Sequence, residues 1–433
     1  MPFEIPDSWV WTRLESSVLI NPRNDLSDNI DVSFVEMKSI SDGYNNHFSA
    51  TTRLWKEVKS GFTHFQDGDV GFAKITPCFQ NRKSVVFSGL QNGYGAGTTE
   101  LHILRAVKST ITTEYLLLFV KSSYFIERGI QKFSGTAGQQ RFGTDEVKKT
   151  PFPLPPLEEQ ARIVNRIDEL FEQIDIIEQN QADIDTLYDE FRKRTLTLAI
   201  QGKLVPQDSN DEPASVLLER IRAEKKAKLG KKFVDSYIYK GDDNCYYEKV
   251  KDSVKEISAE IPFDVPESWQ WIRIDNLFQH NTGKALNSSN TKGILHPYIT
   301  TSNVYWGHFC LDCVKEMPFT EDEFSKCSIV PGDLLVCEGG DVGRAAIWEK
   351  DIPMCIQNHI HRLRAYYPVC TQFYYFAFFV YKSIGLIGGK GIGIQGLSSG
   401  ALGKLIFPLP PLAEQERIVK QVGIILEKLK DED

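Results

Sequence analysis

Long apolar runs are missing from this chain. The longest uncharged apolar stretch runs from Phe373 to Tyr381, far short of the roughly 20 residues that span a bilayer. Met1–Trp11 carries acids and prolines instead of a basic start and an apolar core, so no secretory leader is expected. Cysteine is sparse, with 8 residues in 433, scattered and mostly in the second half. That excludes a secreted disulfide scaffold and makes a reducing cytoplasm the simplest home. Extreme composition is absent too. Hydrophobic residues are 41% and charged residues 25%, which excludes a mostly disordered chain, a collagen-like chain and a membrane bundle. The length suggests about three domains.

Catalytic constellations are also lacking. A phosphate-binding Walker loop needs Gly-Lys followed by Ser or Thr. Gly-Lys pairs begin at Gly202, Gly230, Gly283, Gly389 and Gly403, and none is followed by a hydroxyl residue. Gly391–Gly396 matches G-x-G-x-x-G, but Pro408 and Pro410 interrupt before a full helix and its acid could follow; a flexible glycine loop is the plainer reading. Cys310 and Cys313 form a C-x-x-C without a second pair, so small buried residues are favoured over zinc. No nucleophile elbow, H-E-x-x-H or kinase set appears. Nothing supports an enzyme acting alone.

What is present is a repeat. Residues 5–14 read IPDSWVWTRL and residues 265–274 read VPESWQWIRI. Residues 152–164 read FPLPPLEEQARIV and residues 407–419 read FPLPPLAEQERIV. Between these marks, Gly68-Asp69 and Gly332-Asp333 each open an apolar segment. Two such strings in the same order imply two copies of one unit, each a globular part followed by FPLPPL and a helix. Strands are expected at Ser84–Phe87 and Asp333–Cys337, and helices near Tyr115–Ile130 and Phe373–Ile387. The fold class is α+β.

After the first FPLPPL, Ile163, Ile167, Leu170, Ile174, Ile177, Ile184, Tyr188, Phe191 and Leu198 fall on alternating steps of three and four, with Gln181 and Thr195 in the gaps. This heptad seam predicts a coiled-coil helix. Ile418, Val422, Ile425 and Leu429 keep the same phase in the second copy. The helices would reach roughly 60 Å and roughly 30 Å. The alternative, two surface helices each packed on its own globular part, suits such a narrow and long seam less well. Between the copies, Ala214–Leu229 favours helix and ends at Gly230, whereas Lys231–Glu260 lacks a clear period and reads as an extended, partly ordered linker. The segments are 1–152, 153–200, 201–262, 263–407 and 408–433.

The net charge of −8 argues weakly against nucleic acid, yet residues 1–150 carry nearly equal numbers of acids and bases, so a local basic face is compatible with it. Two like units joined by a helical rod suit a device that touches DNA at two places. Candidate contacts in the first unit are Lys74, Arg82 and Lys83 in AKITPCFQNRKS, and Gln139, Gln140 and Arg141 in the glycine-rich SGTAGQQRFG. In the second unit they are Arg344 in EGGDVGR, His359 and His361 in QNHIHRLR, and Lys390 and Gln395 in the corresponding glycine loop. Arginine suits guanine edges, Gln adenine edges, and Lys phosphate. A solvated surface is the competing reading for each residue singly, and His359 and His361 could equally be surface polar residues.

These residues resemble the specificity subunit of Type I restriction–modification systems. The resemblance rests on IPDSWVWTRL and VPESWQWIRI, on GDVGFAKITPCFQN, GDLLVCEGGDVGRAAIW and QNHIHRLR, and on FPLPPLxEQxRIV closing both halves. It implies two globular target recognition domains, each reading one part of a split double-stranded DNA sequence, separated by long heptad helices forming an antiparallel coiled coil. It implies no catalysis and no cofactor on this chain. Two methyltransferase subunits would carry S-adenosylmethionine, and restriction subunits would use ATP and Mg; no membrane is involved. The excess length of the first helix would be covered by the 214–229 helix or by the methyltransferase. Competing readings are a methylation-only system, a two-domain scaffold that never touches DNA, and a stand-alone enzyme.

Overall fold

A computed structural model describes residues 3–136, 139–286, 292–388 and 397–429. The chain divides into two compact units, Met1–Asn180 and Gln181–Asp433. In each, the two repeated strings are the two sides of one ribbon. Val10–Arg13 runs antiparallel to Pro151–Leu154, with Trp11 opposite Pro153. Gln270–Arg273 runs antiparallel to Ile406–Leu409, with Trp271 opposite Pro408. Proline is tolerated because a two-stranded ribbon leaves one edge of each strand without a ladder to donate to. The glutamine of FPLPPLxEQ locks the corner that follows. Gln160 accepts from the Thr112 amide (2.9 Å) and donates to the Pro155 carbonyl (2.9 Å). Gln415 accepts from the Cys370 amide (3.0 Å) and donates to the Pro410 carbonyl (2.9 Å). Both are fully buried.

The central sheet also repeats. In the first unit its order is Val18–Ile20, Leu101–Ala106, Val70–Ala73, Ser84–Val86. In the second it is Phe278–Thr282, Ile360–Ala365, Leu334–Cys337, Ala345–Ile347. All pairings are antiparallel. The Gly-Asp motif that opens the third strand is now explained. Gly68 and Gly332 turn at φ of 86° and 92°, where a side chain is strained. The aspartate then folds back to accept from the Gln66 amide (2.8 Å) or the Val330 amide (2.9 Å). Its two oxygens are gripped by a neighbouring arginine: Arg105 on Asp69 at 2.8 Å twice, and Arg364 on Asp333 at 2.7 and 2.6 Å. A fork–fork pair of this kind satisfies a carboxylate that burial would otherwise penalise.

Helices cover each sheet. The apolar stretch of the first unit splits into Thr113–Lys121 and Ser123–Gln131. Ser122 breaks it, because its hydroxyl caps the second helix by accepting from the Phe125 amide (3.2 Å). The second unit keeps one helix, Thr371–Ser383. A second sheet differs between units. The first has four strands, Thr51–Leu54, Asp31–Val35, Tyr94–Gly97 and Thr63–Gln66; the second has three, Lys315–Phe319, Ile294–Ile299 and Cys355–Ile356.

The stretch 231–260 is not an extended linker. Ser236–Lys240, Tyr246–Val250 and Ser253–Glu256 form an antiparallel three-stranded sheet. The periodicity is faint because the fully buried hydrophobics of this stretch are Ile238 and Ile257, beside Trp271 and Ile406, with Tyr246 partly buried against them; the same face carries Glu248, which forks Arg273 (3.0 and 2.8 Å). Ala214–Leu229 is helical and stops at Gly230, φ 52°.

The long helix is continuous from Leu157 to Ile200, 44 residues, or about 66 Å at 1.5 Å per residue, consistent with a coiled-coil linker. The closing helix, Leu412–Lys428, has 17 residues. Replacing Asp333 with Asn keeps the shape but removes the anion that faces Arg364. Because Arg364 is partly exposed, the expected loss is about 2 kcal/mol. It is read as a lower urea midpoint for the second unit with an unchanged m-value.

Candidate functional site

In the first unit, a short bridge brings two of the proposed contact segments together. Ile75 pairs with Arg141, the Thr76 amide donates to the Gln140 carbonyl (3.0 Å), and the Phe142 amide donates to the Lys74 carbonyl (2.9 Å). These bonds set Lys74 beside the Gln139–Arg141 segment. Gln139 is exposed, and Lys74 and Gln140 are half-buried. Arg141 grips Glu100 with two nitrogens (3.0 and 2.8 Å) and leaves 41% of its side chain exposed. The guanidinium holds the Glu100 carboxyl below its ordinary range, and Lys74 lowers it further. Glu100 thus orients Arg141 without removing it from solvent.

The loop's return is anchored from below by His102, 1% exposed. Its Nε2 lies 2.8 Å from the Phe142 carbonyl and its Nδ1 3.1 Å from Asn21 Nδ2. A carbonyl only accepts, so Nε2 carries the proton and Nδ1 accepts from the Asn21 amide. Burial pushes the imidazole pKa down to about 4.

Arg82 and Lys83 have their polar atoms engaged. Arg82 donates to the Lys121 carbonyl (2.9 Å) and Ser123 Oγ (3.3 Å) and lies 5.3 Å from the Tyr44 ring centroid. Lys83 donates to the Ile40 carbonyl (2.7 Å), and its side chain is only 15% exposed. The buried Lys121 donates to the Gly43 and Ser84 carbonyls (2.8 and 2.9 Å), and burial lowers its pKa to about 8. These three cations hold loops together through backbone carbonyls.

The second unit repeats the anchor. Leu397 takes the place of Phe142: its amide donates to the Glu338 carbonyl (2.7 Å), and its carbonyl accepts from His361 Nε2 (2.7 Å). His361 Nδ1 then accepts from His280 Nε2 (2.8 Å), and burial lowers both imidazole pKa values. His361 is fully buried; it holds the Leu397 carbonyl instead of standing at the surface. His359 is exposed, 3.4 Å from Glu338. Arg344 donates to the Thr301 carbonyl (2.6 Å) beside the Tyr305 ring. Lys390 and Gln395 lie outside the described residues. A polar cleft of about 510 Å³ beside the anchor is lined by His280, Asn281, Lys284, Lys326 and Ser399, among others. The sequence reading missed Lys284, tied to Glu323 at 2.6 Å, and exposed Lys326. It also missed His102. Aligning LHILRA (101–106) with IHRLRA (360–365) would have exposed both the anchoring histidine and the arginine of the aspartate pair.

The heptad seam divides into covered and uncovered parts. Ile163 and Val164 pack on the first unit's core, and Ile167 is half-buried. Leu170, Ile174, Ile177 and Ile184 are 42%, 48%, 66% and 51% exposed. The closing helix buries Ile418 and Val422 in the second unit's own core, with Ile425 half-buried. Its end reaches the long helix: Leu429 lines a cleft of about 520 Å³ with Ile184, Leu187, Tyr188 and Phe191. The 214–229 helix does not cover the seam; Leu217, Leu218 and Ile221 pack into the second unit. Residues 168–190 carry nine acids and no Lys or Arg, so the exposed stripe is apolar with anionic flanks. Among the described residues, no group of three or more His, Cys, Asp or Glu could hold a metal, and no helix is long and apolar enough to cross a membrane.

Residues 20–186 and 266–431 each match the model of the Type I restriction modification DNA specificity domain. The EcoAI specificity subunit of Escherichia coli is 32% identical over 478 residues, covering 98% of this chain and 79% of that protein. The EcoEI specificity subunit of Escherichia coli is 32% identical over 400 residues, covering 80% of this chain and 64% of that protein. The fold is similar to that of the HsdS subunit from Thermoanaerobacter tengcongensis, with TM-score 0.59 and 20% identity over 100% of this chain and 93% of that one. A chain from a structural study of type I R-M system assembly and conformational transition gives TM-score 0.63 at 20% identity, over 99% of this chain and 93% of that one.

Burial of His102 has a pH consequence. Its pKa is 6.5 when unfolded and about 4 when folded, so the unfolded chain takes the proton first. The first unit is then at full strength above pH 6.5 and loses about 3 kcal/mol as pH falls toward 4. Urea unfolding of the full chain from pH 7.5 to 4.5 should show that slope. His102→Gln should lower stability at pH 7.5 and flatten the slope.

Proposed function

The chain belongs to the Type I restriction modification DNA specificity family, carries its domain twice, and is a DNA-specificity subunit; we propose that each unit reads one half of a split DNA target through the face where its glycine-rich loop is anchored. In the first unit that face offers Lys74 for phosphate and Gln139, Gln140 and Arg141 for base edges. In the second it offers Arg344, His359 and Lys326. The observation that carries this reading is the repeated anchor: His102 and His361 each hold the residue where that loop rejoins the fold. A loop that presents Arg and Gln on a rigid base contacts a groove with little entropy left to lose. The two faces differ in charge. Lys74 stands in the first unit where Glu338 stands in the second, since the Phe142 and Leu397 amides donate to their respective carbonyls. Two faces so unlike read two different half-sequences.

Catalysis would reside on partners, two methyltransferase subunits with S-adenosylmethionine and restriction subunits with ATP and Mg. The exposed Leu170–Ile184 stripe supports a protein contact there, since its anionic flanks repel phosphate while its apolar face favours another protein.

Arg141→Ala, measured in the complex with the methyltransferase, should weaken binding of the cognate site about 10- to 100-fold and relax one base position. Lys74→Ala should weaken all sequences alike and reduce the salt slope by about one. The wider test exchanges residues 1–152 for those of a relative and maps adenine methylation. One half of the motif should change; a change in both halves would sink the two-reader assignment.

A further inference from the structure

Each unit holds an ion pair beside its anchored loop, and the two pairs expose opposite partners. In the first unit the Arg141 side chain is 41% exposed and its partner Glu100 26%. In the second, Lys284 is 9% exposed and its partner Glu323 32%. One unit presents the cation, the other the carboxylate. Glu323 is fixed from two sides. Its carboxylate accepts from Lys284 Nζ (2.6 Å) and from the Thr320 amide (2.9 Å). The Thr320 hydroxyl accepts in turn from the Glu323 amide (3.4 Å), closing a capping box at the start of the helix Glu321–Cys327. Lys284 is itself pinned. Its ammonium also donates to the Pro318 carbonyl (2.7 Å). Its amide donates to the Ile356 carbonyl (3.1 Å), and its carbonyl accepts from the Asn358 amide (3.0 Å). The glutamate is therefore tied, through the lysine, to the segment that carries His359.

Both bonds fall on Oε2, so Oε1 keeps acceptor capacity to spare. The Lys284 ammonium and the Thr320 amide hold the carboxyl below its ordinary range, which leaves it an anion that only accepts. It lines the polar cleft of about 510 Å³ together with Thr282 and Lys326, and Lys326, one turn on, is exposed. A carboxylate in a groove walled by phosphates costs affinity unless it meets a donor. On base edges in the major groove the donors are cytosine N4 and adenine N6, whereas guanine O6 and thymine O4 accept. A carboxylate held in one place thus favours amino bases and turns keto bases away.

We propose that Glu323 is a specificity-determining residue of the second unit, accepting a hydrogen bond from the exocyclic amino group of one base in that unit's half-site, with Lys284 as its positioning residue. Cytosine N4 and adenine N6 share that chemistry. Lys326 takes the adjoining phosphate. The inference rests on the reading that each unit meets DNA through the face where its loop is anchored.

The test measures binding of the full chain, in its complex with the methyltransferase, to duplexes varied one base pair at a time across the target. The unaltered chain should prefer an amino base to a keto base at one position of the second unit's half-site by about 10- to 100-fold. Glu323→Gln should cut that preference to about threefold or less and leave the other positions as they were, since an amide donates as well as accepts. Lys284→Met should weaken the preference at that same position, whereas a merely structural role would weaken all positions alike. Asp322→Asn, which removes the same charge one residue away, should strengthen binding to all sequences equally. Changing the DNA instead leaves the protein intact. Replacing cytosine by 2-pyrimidinone, or adenine by unsubstituted purine, should weaken the unaltered chain about tenfold at that position and the Glu323→Gln chain much less; the analogue that acts names the base. Uniform weakening by Glu323→Gln, or an unchanged preference while Arg344→Ala still weakens binding, would overturn this inference alone. If Arg344→Ala and Lys326→Ala leave binding unchanged too, the DNA face of this unit is misplaced and both readings fall.

Discussion

Each unit depends on closing a ribbon between its two ends. Trp11 opposite Pro153, and Trp271 opposite Pro408, bring together strands that enter and leave the unit, and the buried Gln160 or Gln415 fixes the turn into the helix beyond. With that corner set, the long helix leaves the first unit in one fixed direction. The helix cannot run back through the double proline, so the direction is a property of the corner rather than of the helix. A contact between chain ends is entropically expensive to form, which explains why its participants are so fully satisfied: every polar atom of each glutamine has a backbone partner.

Above that corner the two units share a second constant, the aspartate–arginine fork at the Gly-Asp turn, and a third, the histidine under the loop. Each centres on a buried polar side chain, Gln160 or Gln415, Asp69 or Asp333, His102 or His361, with hydrogen-bond partners. Such networks specify one geometry, since a shifted strand would strand a charge or an imidazole without partners. Variation is confined to the periphery. The second sheet has four strands in one unit and three in the other, the helix over the sheet is split by Ser122 in one and whole in the other, and the residue beside the loop is Lys74 in one and Glu338 in the other. A DNA-specificity subunit needs this division, because the presenting frame must stay fixed while the presented surface changes.

The long helix serves a different purpose along its length. Its first turns belong to the first unit's core through Ile163 and Val164, and its last turns to the second unit's core through Leu196, Ala199 and Ile200. Between them the seam from Leu170 to Ile184 is exposed and flanked by acids. An exposed isoleucine row of this kind is an apolar patch such as marks an interaction surface.

Much of this was legible in the amino-acid order. The duplication, the α+β class, the heptad helix and its proline boundary follow from repeated strings and periodicity, which are local or translational signals. Burial and pairing are neither. Lys83 and Arg141 look alike in sequence, each a cation in a polar loop; only the tertiary structure sends one to backbone carbonyls and leaves the other on the surface. His359 and His361 flank Ile360, so a strand period of two would put them on one face, yet the strand begins only at Ile360, and His361 is buried while His359 is exposed. The three-stranded sheet at 236–256 left a faint pattern because Ile238, Tyr246 and a charged fork anchor it, with Ile257 just beyond its last strand. The sequence by itself determined that two like units exist and where each begins and ends its core, because hydrophobic pattern and repeats are written along the chain. Which cations face outward was decided by the tertiary structure alone, because that outcome depends on partners far apart in sequence.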